Sequence, residues 1–239
     1  MKDRICKVAP NGDMVTVSTF HSFCARMLRT YASFIQGYKE NFTIFSDTDT
    51  SKIFKDIFKQ LNIDDETTKC NFKHNISTIK NENMTLNEFV KIYSYDKDID
   101  VFAKFFTMYE DELKKNNAMD FDDLLINFYK LISTNQEILD SIQNKFTYFS
   151  VDEFQDTNRL QYDIVKLLAS KTRNILIVGD EDQSIYGWRG ANIENIFNFQ
   201  RDFPEVKVLK LEQNYRSTKK ILEHANLIIK NNTNRLDKK

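Results

Sequence analysis

The sequence predicts an α/β fold: a parallel sheet with helices on its faces and an all-helical segment inserted into it. Short apolar segments with strand character alternate with segments whose apolar residues recur at helical spacing. That alternation is typical of parallel sheets with crossover helices. The chain also has only five glycines and two prolines among 239 residues. So few turn formers argue against a many-stranded sandwich or barrel.

Four segments are predicted as strands. The third is short and wholly apolar, which favours a strand covered on both faces. Helical patterns follow the first, second and fourth, and Ser217 is the expected N-cap of the last helix. The predicted strands are residues 14–19, 146–151, 175–178 and 206–211.

Between the first two strands, residues 45–144 have apolar positions at helical spacing throughout. We interpret most of this stretch as an inserted helical block. Its many aromatic residues are expected to be core packing rather than a ligand site.

Composition excludes several classes of protein. With 41% hydrophobic and 29% charged residues, the chain is not disordered as a whole. The net charge is −1, so any basic surface for nucleic acid must be local. The three cysteines are widely spaced and odd in number, which predicts neither disulfides nor a zinc site and fits a reducing cytoplasm. No apolar run is long enough for a membrane span, and no signal peptide is predicted.

The most informative segment is 148–156, where a strand leads directly into Asp152 and Glu153. Open parallel sheets bind ligands at the carboxyl ends of their strands. One acid there can hold magnesium beside a nucleotide phosphate, while its neighbour polarises a water molecule. The alternative is that both acids merely open a polar loop.

A second strand-to-loop segment, 177–190, contains the chain's single tryptophan. Trp188 lies between Gly187 and Gly190 and next to Arg189, a placement that suits a platform for an unpaired base better than a core position. The alternative is a residue at the rim of the core.

Two further segments carry weaker signals. Tyr215 and Arg216 precede a predicted helix, where the arginine could reach a phosphate while the ring stacks on a purine. Thr19, Phe20 and His21 open a helix after the first predicted strand, and hydroxyls with a helix N-terminus suit phosphate contacts. A structural or solvated histidine is the alternative for His21.

Taken together and in this order, these segments resemble the UvrD/PcrA/Rep family of superfamily 1 DNA helicases. The resemblance extends over essentially the whole chain and is carried by five motif-like segments, residues 19–24, 119–124, 152–158, 179–191 and 213–218.

The resemblance implies ATP-driven 3′→5′ movement along single-stranded DNA, and action at single/double-strand junctions in repair, replication or recombination in the bacterial cytoplasm. It implies a partial RecA-like (P-loop NTPase) sheet with an inserted helical subdomain. The expected domains are residues 1–44 and 119–212 for the first RecA-like domain, 45–118 for the accessory subdomain and 213–239 for the start of the second RecA-like domain.

The same resemblance implies roles for individual residues. For ATP and Mg²⁺, Asp152 and Glu153 are expected at the metal, with Glu153 activating water. Gln155 and Gln183 would sense the γ-phosphate, Arg216 would stabilise charge on it, and Tyr215 would stack on adenine. For single-stranded DNA, the implied contacts are Thr19, Phe20, His21, Tyr186, Trp188 and Arg189.

One family feature is missing from the sequence. No Gly-x-x-x-x-Gly-Lys-Thr phosphate loop is present, and such a loop supplies a phosphate-binding lysine and a magnesium-binding hydroxyl. We therefore expect the 239-residue chain alone to hydrolyse little or no ATP, and expect an unpaired sheet edge where the loop's strand would pair. Two alternatives stay open: an inactive remnant that only binds single-stranded DNA, and the helicase part of a helicase–nuclease recombination subunit.

Overall fold

The computed structural model of the chain describes residues 1–185, 187, 191–192, 194–211 and 213–229. Internal contacts divide the chain into two compact units, residues 1–142 and 143–239. The domain boundaries expected from the resemblance stay a prediction.

The first unit is mainly helical. Its two short strands pair in parallel, with Thr43 opposite Ala118 and Ile44 opposite Met119. The last helix runs past the end of the unit. The elements are α1 (Lys2–Val8), α2 (Phe20–Thr30), β1 (Thr43–Ile44), α3 (Asp47–Gln60), α4 (Glu66–Asn81), α5 (Leu86–Ile92), α6 (Ile99–Lys115), β2 (Ala118–Met119), α7 (Phe121–Thr134) and α8 (Gln136–Lys145).

Side-chain caps set where several of these helices begin. In α3, the Ser46 hydroxyl accepts from the backbone N–H of Asp49, and the Asp49 carboxylate accepts from that of Ser46. Thr85 and Glu88 form the same reciprocal box at α5. Such caps satisfy backbone donors that the first helical turn leaves unpaired, and each contributes about 1 kcal/mol.

Aromatic side chains fill the core formed by helices α3 to α6. Phe58 stacks on Phe105 with ring centroids 4.5 Å apart, and Phe54 lies 4.7 Å from Tyr109. All four rings are buried. Each contributes roughly 1.5–3 kcal/mol through burial. Most aromatic residues of the predicted block 45–144 are core packing, as predicted, but Tyr95 and Phe121 are 81% and 47% exposed.

The second unit is built around one parallel strand pair, in which Phe149 lies opposite Ile175 and Val151 opposite Ile177. A helix connects the two strands, giving the βαβ arrangement that parallel pairing requires. Phe154, Tyr162 and Phe199 are buried and meet edge to face. The elements are β3 (Phe149–Val151), α9 (Arg159–Ala169), β4 (Ile175–Ile177), α10 (Glu194–Asp202) and α11 (Lys219–Ile229).

The α/β class with parallel pairing is confirmed, but two predicted strands are wrong. In the segment 14–19, Met14 ends a turn of 3₁₀ helix and residues 15–19 form no strand. Residues 206–211 also form no strand where the structure describes them, and Leu209 is 86% exposed. Alternating apolar residues specify a strand only when a neighbouring strand takes up the backbone hydrogen bonds.

Two smaller expectations are also wrong. Leu176 of β4 is 58% exposed, so this apolar strand is not covered on both faces. The last helix begins at Lys219, one residue later than an N-cap at Ser217 requires. Across the described parts of the chain, no helix combines the length and apolarity needed to cross a membrane.

Candidate functional site

The carboxyl ends of β3 and β4 lie side by side and carry the predicted acids. Pairing continues just beyond the strands: the N–H of Val178 donates to the carbonyl of Val151 (2.8 Å), and the N–H of Phe154 donates to that of Val178 (2.9 Å). Asp152 and Glu153 follow β3 and are exposed. The structure thus places both acids at the edge where parallel sheets bind ligands.

Glu153 has a backbone conformation that glutamate rarely adopts. Its φ is 51°, in the left-handed region, and it directly precedes a 3₁₀ turn over Phe154–Asp156. Of the other non-glycine residues described with positive φ, Asn62, Asn83 and Asn117 belong to the type that tolerates it best. Strain of this kind costs about 1–3 kcal/mol and concentrates at functional sites.

Gln155 joins the two acidic loops. Its side chain is only 1% exposed. Its Nε2 donates to Glu153 Oε2 (2.7 Å), and its Oε1 accepts from the backbone N–H of Asp180 (3.0 Å). Because the amide is buried and bonded at both ends, it fixes the Glu153 carboxylate relative to the loop after β4.

Gly179 is required by this close approach. A Cβ atom there would lie 2.9 Å from Gln155 Oε1 and 3.3 Å from the Gln155 backbone nitrogen. Any larger residue would push the Gln155 amide away from its two partners.

Gln183 belongs to the same loop and is held by Asp180. The Asp180 carboxylate accepts from Gln183 Nε2 (2.8 Å) and from the backbone N–H of Asp182 (3.1 Å), so it caps the 3₁₀ turn Glu181–Gln183. Ser184 Oγ donates to the backbone carbonyl of Gln155 (3.3 Å). The structure therefore brings Glu153, Gln155 and Gln183 into one hydrogen-bonded set.

Asn195 of α10 binds the segment that follows the 3₁₀ turn Phe154–Asp156. Its side chain is 1% exposed. Its Nδ2 donates to the carbonyls of Thr157 (2.9 Å) and Asn158 (3.1 Å), and to the Thr157 hydroxyl (3.2 Å). Burial, and then repulsion from Glu153, raise the pKa of Asp156 in the turn between them.

The donor set fits magnesium. Mg²⁺ typically binds one or two protein carboxylates, keeps several waters and shares substrate phosphate oxygens. Asp152 and Glu153 offer exposed carboxylate oxygens of this kind. Within the described residues no group of three or more acidic, histidine or cysteine ligands gathers, and the assignment of these two acids to a metal stays a prediction.

Tyr215 and Arg216 lie on an exposed bend, and Tyr215 is 93% exposed. Asn214 Oδ1 accepts from the backbone N–H groups of Arg216 (2.8 Å) and Ser217 (2.9 Å), which shapes the bend. No hydrogen bond or ion pair joins the Arg216 side chain to another described residue. The nucleotide roles of both residues stay predictions.

The predicted DNA-contacting residues Thr19, Phe20 and His21 lie at the start of α2 in the first unit. Thr19 is the N-cap: its Oγ1 accepts from the backbone N–H of Ser22 (3.3 Å) and donates to Ser22 Oγ (3.0 Å). The His21 ring meets the edge of Phe121, 5.7 Å between centroids. Burial lowers the pKa of His21, and attraction to Asp122 only partly opposes this.

The other three predicted DNA contacts, Tyr186, Trp188 and Arg189, lie outside the described residues.

A parallel βαβ unit with paired acids at its strand ends places the chain among α/β proteins, a class whose open parallel sheets bind ligands at those ends. Comparison with known families makes this specific. The model of the UvrD/REP helicase N-terminal domain matches residues 1–204. The chain belongs to this family.

Individual proteins similar to the chain are also DNA helicases. The chain is 47% identical over 240 residues to the ATP-dependent DNA helicase PcrA of Staphylococcus aureus, covering 100% of the chain and 33% of the relative. It is 46% identical over 232 residues to the PcrA of Staphylococcus epidermidis, covering 97% of the chain and 32% of the relative. The chain thus spans about a third of the length of the curated relatives it matches.

The sequence interpretation missed three contributors to the site: Asp180, which holds Gln183, Gly179, which makes room for Gln155, and Asn195. A glycine directly after a predicted strand was a usable signal for Gly179, since such positions often mark a close backbone approach. Asn195 carried no local signal, because its partners lie 37 and 38 residues away.

Proposed function

We propose that this chain contributes the phosphate-hydrolysing acids and single-stranded-DNA contacts of an ATP-dependent 3′→5′ DNA helicase. The observation that carries the proposal is the Gln155 bridge. It holds Glu153 in a strained conformation beside Asp152, at the strand ends where a nucleotide phosphate would bind.

In this proposal the two acids have separate tasks. Asp152 holds magnesium, which when bound with ATP neutralises charge on the phosphates. Glu153 accepts a proton from the attacking water. Its Oε2 is already fixed by Gln155 (2.7 Å), so its other oxygen is the one to face water.

Gln155 and Gln183 give the site a means of sensing the γ-phosphate. Their amides belong to one network, through Asp180. A phosphate oxygen that engaged either amide would pull on the loop after β4, which leads directly into Trp188. We propose that nucleotide state reaches the DNA-stacking tryptophan by this route.

The first test uses Trp188 as the only tryptophan of the chain. Oligo-dT is expected to quench its fluorescence, whereas duplex DNA of equal length is not, because only unpaired bases offer a free face for stacking. Trp188→Phe, which removes the fluorophore, is the control. Its binding is measured independently by the anisotropy of a labelled oligonucleotide. Absence of both quenching and binding, with folding confirmed by circular dichroism, would contradict the DNA role.

The second test concerns ATP. The chain would replace the matched third of the Staphylococcus aureus PcrA, and the chimera would be assayed for DNA-stimulated ATP hydrolysis and for unwinding of duplexes with a 3′ or a 5′ tail. We expect hydrolysis and a preference for 3′ tails. Glu153→Gln should lower hydrolysis by about 10²–10⁴-fold, the usual contribution of a general base, while leaving oligo-dT binding unchanged. Full hydrolysis by the Gln variant would refute the assignment.

A further inference from the structure

A groove in the first unit lies along α2, beside the predicted DNA contacts. It has a volume of about 510 Å³ and is lined by Ser22, Arg26, Arg29, Thr30 and other residues of α2 and β1. Sites of a few hundred Å³ are large enough to hold part of a ligand chain. The polar side chains that line it carry hydroxyl or guanidinium groups.

Both arginines are exposed and rest on aromatic rings. The Arg26 guanidinium carbon lies 5.7 Å from the centre of the Phe23 ring, and that of Arg29 lies 5.1 Å from the centre of the Phe42 ring. Stacking of this kind orients the planar guanidinium before any ligand binds.

Neither arginine is paired with an acid in the part of the chain that the structure describes. No ion pair joins Arg26 or Arg29 to a carboxylate among the residues that the structure describes, whereas Arg173 pairs with Glu205 in the second unit. Two oriented positive charges therefore face solvent in a chain whose net charge is only −1.

The groove starts beside the first turn of α2, where Ser22 lies. Ser22, Arg26 and Arg29 are spaced by four and three residues, which places them on one side of the helix. The opposite side is buried through Cys24 and Leu28. A ligand that touches Thr19 and Ser22 at the helix start would therefore meet both arginines one and two turns further along.

We propose that this groove binds the sugar-phosphate backbone of the same DNA strand that contacts Thr19–His21, with Arg26 and Arg29 each engaging a phosphate. The guanidinium fork suits phosphate oxygens, and hydroxyls such as those of Ser22 and Thr30 commonly join such contacts. This inference rests on the proposed DNA role of the chain and extends the strand's path along α2.

The test is the salt dependence of oligo-dT binding by the 239-residue chain. Each phosphate contact on single strands contributes roughly 0.7 to the slope of log K against log salt. Arg26→Gln with Arg29→Gln should therefore reduce the slope by roughly 1.4, and Lys at both positions should restore it. The matched control changes Lys55 and Lys59, two exposed lysines of α3, to Gln and should leave the slope unchanged.

The outcomes separate the inference from the function on which it rests. If the unmodified chain binds oligo-dT and the arginine variant keeps its slope, the groove is not on the DNA path, but the proposed function stands. An equal loss in the lysine control also overturns the inference, since charge alone would then explain it. If the unmodified, folded chain does not bind oligo-dT, both the inference and the proposed DNA role are refuted.

Discussion

Lys80 provides the sharpest test of how the first unit is held together. Its side chain is 4% exposed, and its Nζ lies 2.7 Å from Asp120, 2.7 Å from Asp123 and 2.9 Å from Glu110. The Tyr109 hydroxyl also donates to Asp120 (2.7 Å). One lysine of α4 thus links three carboxylates belonging to α6, to α7 and to the residue that caps α7.

The electrostatics of this cluster are unusual. Burial alone would lower the pKa of Lys80, but the three carboxylates outweigh it and hold the pKa well above its usual value. Burial and repulsion from Asp120 raise the pKa of Asp123 well above its usual value, whereas Lys80 overcomes burial and lowers that of Asp120. The lysine is what permits this group of acids to be buried.

We expect Lys80→Met to lower the free energy of unfolding by about 3–5 kcal/mol at about pH 7, because it removes the cation that these buried carboxylates share. Met keeps most of the volume, so little of the loss comes from a cavity. The control is Lys52→Met, whose lysine is 73% exposed and 3.6 Å from Asp49. It should change stability by less than about 0.5 kcal/mol.

The loss should depend on pH, and the sign follows from the carboxylates. A lowered pKa, as at Asp120, stabilises the fold above the unfolded pKa, and this stability is lost as pH falls through the folded pKa. Without Lys80 the pKa of Asp120 rises instead. As the pH falls, the buried acids of the variant take up protons, and its loss of stability becomes smaller. The difference between variant and unmodified chain should therefore shrink between about pH 7 and about pH 5.

Urea unfolding followed by far-ultraviolet circular dichroism measures both quantities, since the first unit is mainly helical. A loss below about 1 kcal/mol at neutral pH would refute the reasoning, because a buried cation with three acids would then be dispensable. An equal loss of stability at about pH 7 and about pH 5 would also refute the reasoning, since buried charged acids would then not cause the loss.

Three further predictions concern the second unit and use the same urea assay. Gly179→Ala should lower stability by about 1–3 kcal/mol, because its methyl group would lie 2.9 Å from Gln155 Oε1; an unchanged midpoint would contradict the close approach. Glu153→Gly should be more stable than Glu153→Ala by about 1 kcal/mol, because only glycine adopts a φ of 51° freely; the reverse order, usual in helices, would show that no strain is stored there. Asn195→Leu should cost about 1–3 kcal/mol, since it removes the buried amide that donates to Thr157 and Asn158 and leaves their carbonyls only the backbone N–H groups of Asn192 and Tyr162; a neutral result would mean that water takes the place of the amide.

Local patterns in the sequence were enough to predict much of the fold. The repeat of apolar residues predicted helices where α3, α6 and α7 lie, and most of the aromatic residues proved to be core. The run from 175 to 178 predicted β4. In each case the signal and the element occupy the same short stretch, so no distant partner is needed to interpret it.

The errors arise where pairing decides the outcome. Residues 14–19 and 206–211 have strand-like composition, but a strand exists only with a neighbour, and composition does not identify that neighbour. The β1–β2 pair went unpredicted for the same reason, because two residues beside two others leave no periodic trace.

For the candidate site, the sequence identified the residue types but not their connections. Asp152 and Glu153 follow a strand and so could be placed at its end. The Gln155 bridge to Asp180 joins residues 25 positions apart, and the left-handed conformation of Glu153 lies within the same loop. Geometry of this kind arises from tertiary contacts and has no local signature.

The exposed face of β4 has a practical consequence for the chain in solution. Leu176 and Val178 point to the same side of the strand and are 58% and 45% exposed, and each strand of the pair has only one partner among the described residues. Strands with an unpaired edge and an exposed apolar face associate with other copies of the chain. Solubility should therefore fall steeply with protein concentration, and sulfate salts, which strengthen apolar burial, should precipitate folded chains. Purification at low concentration and without salting out should limit this association.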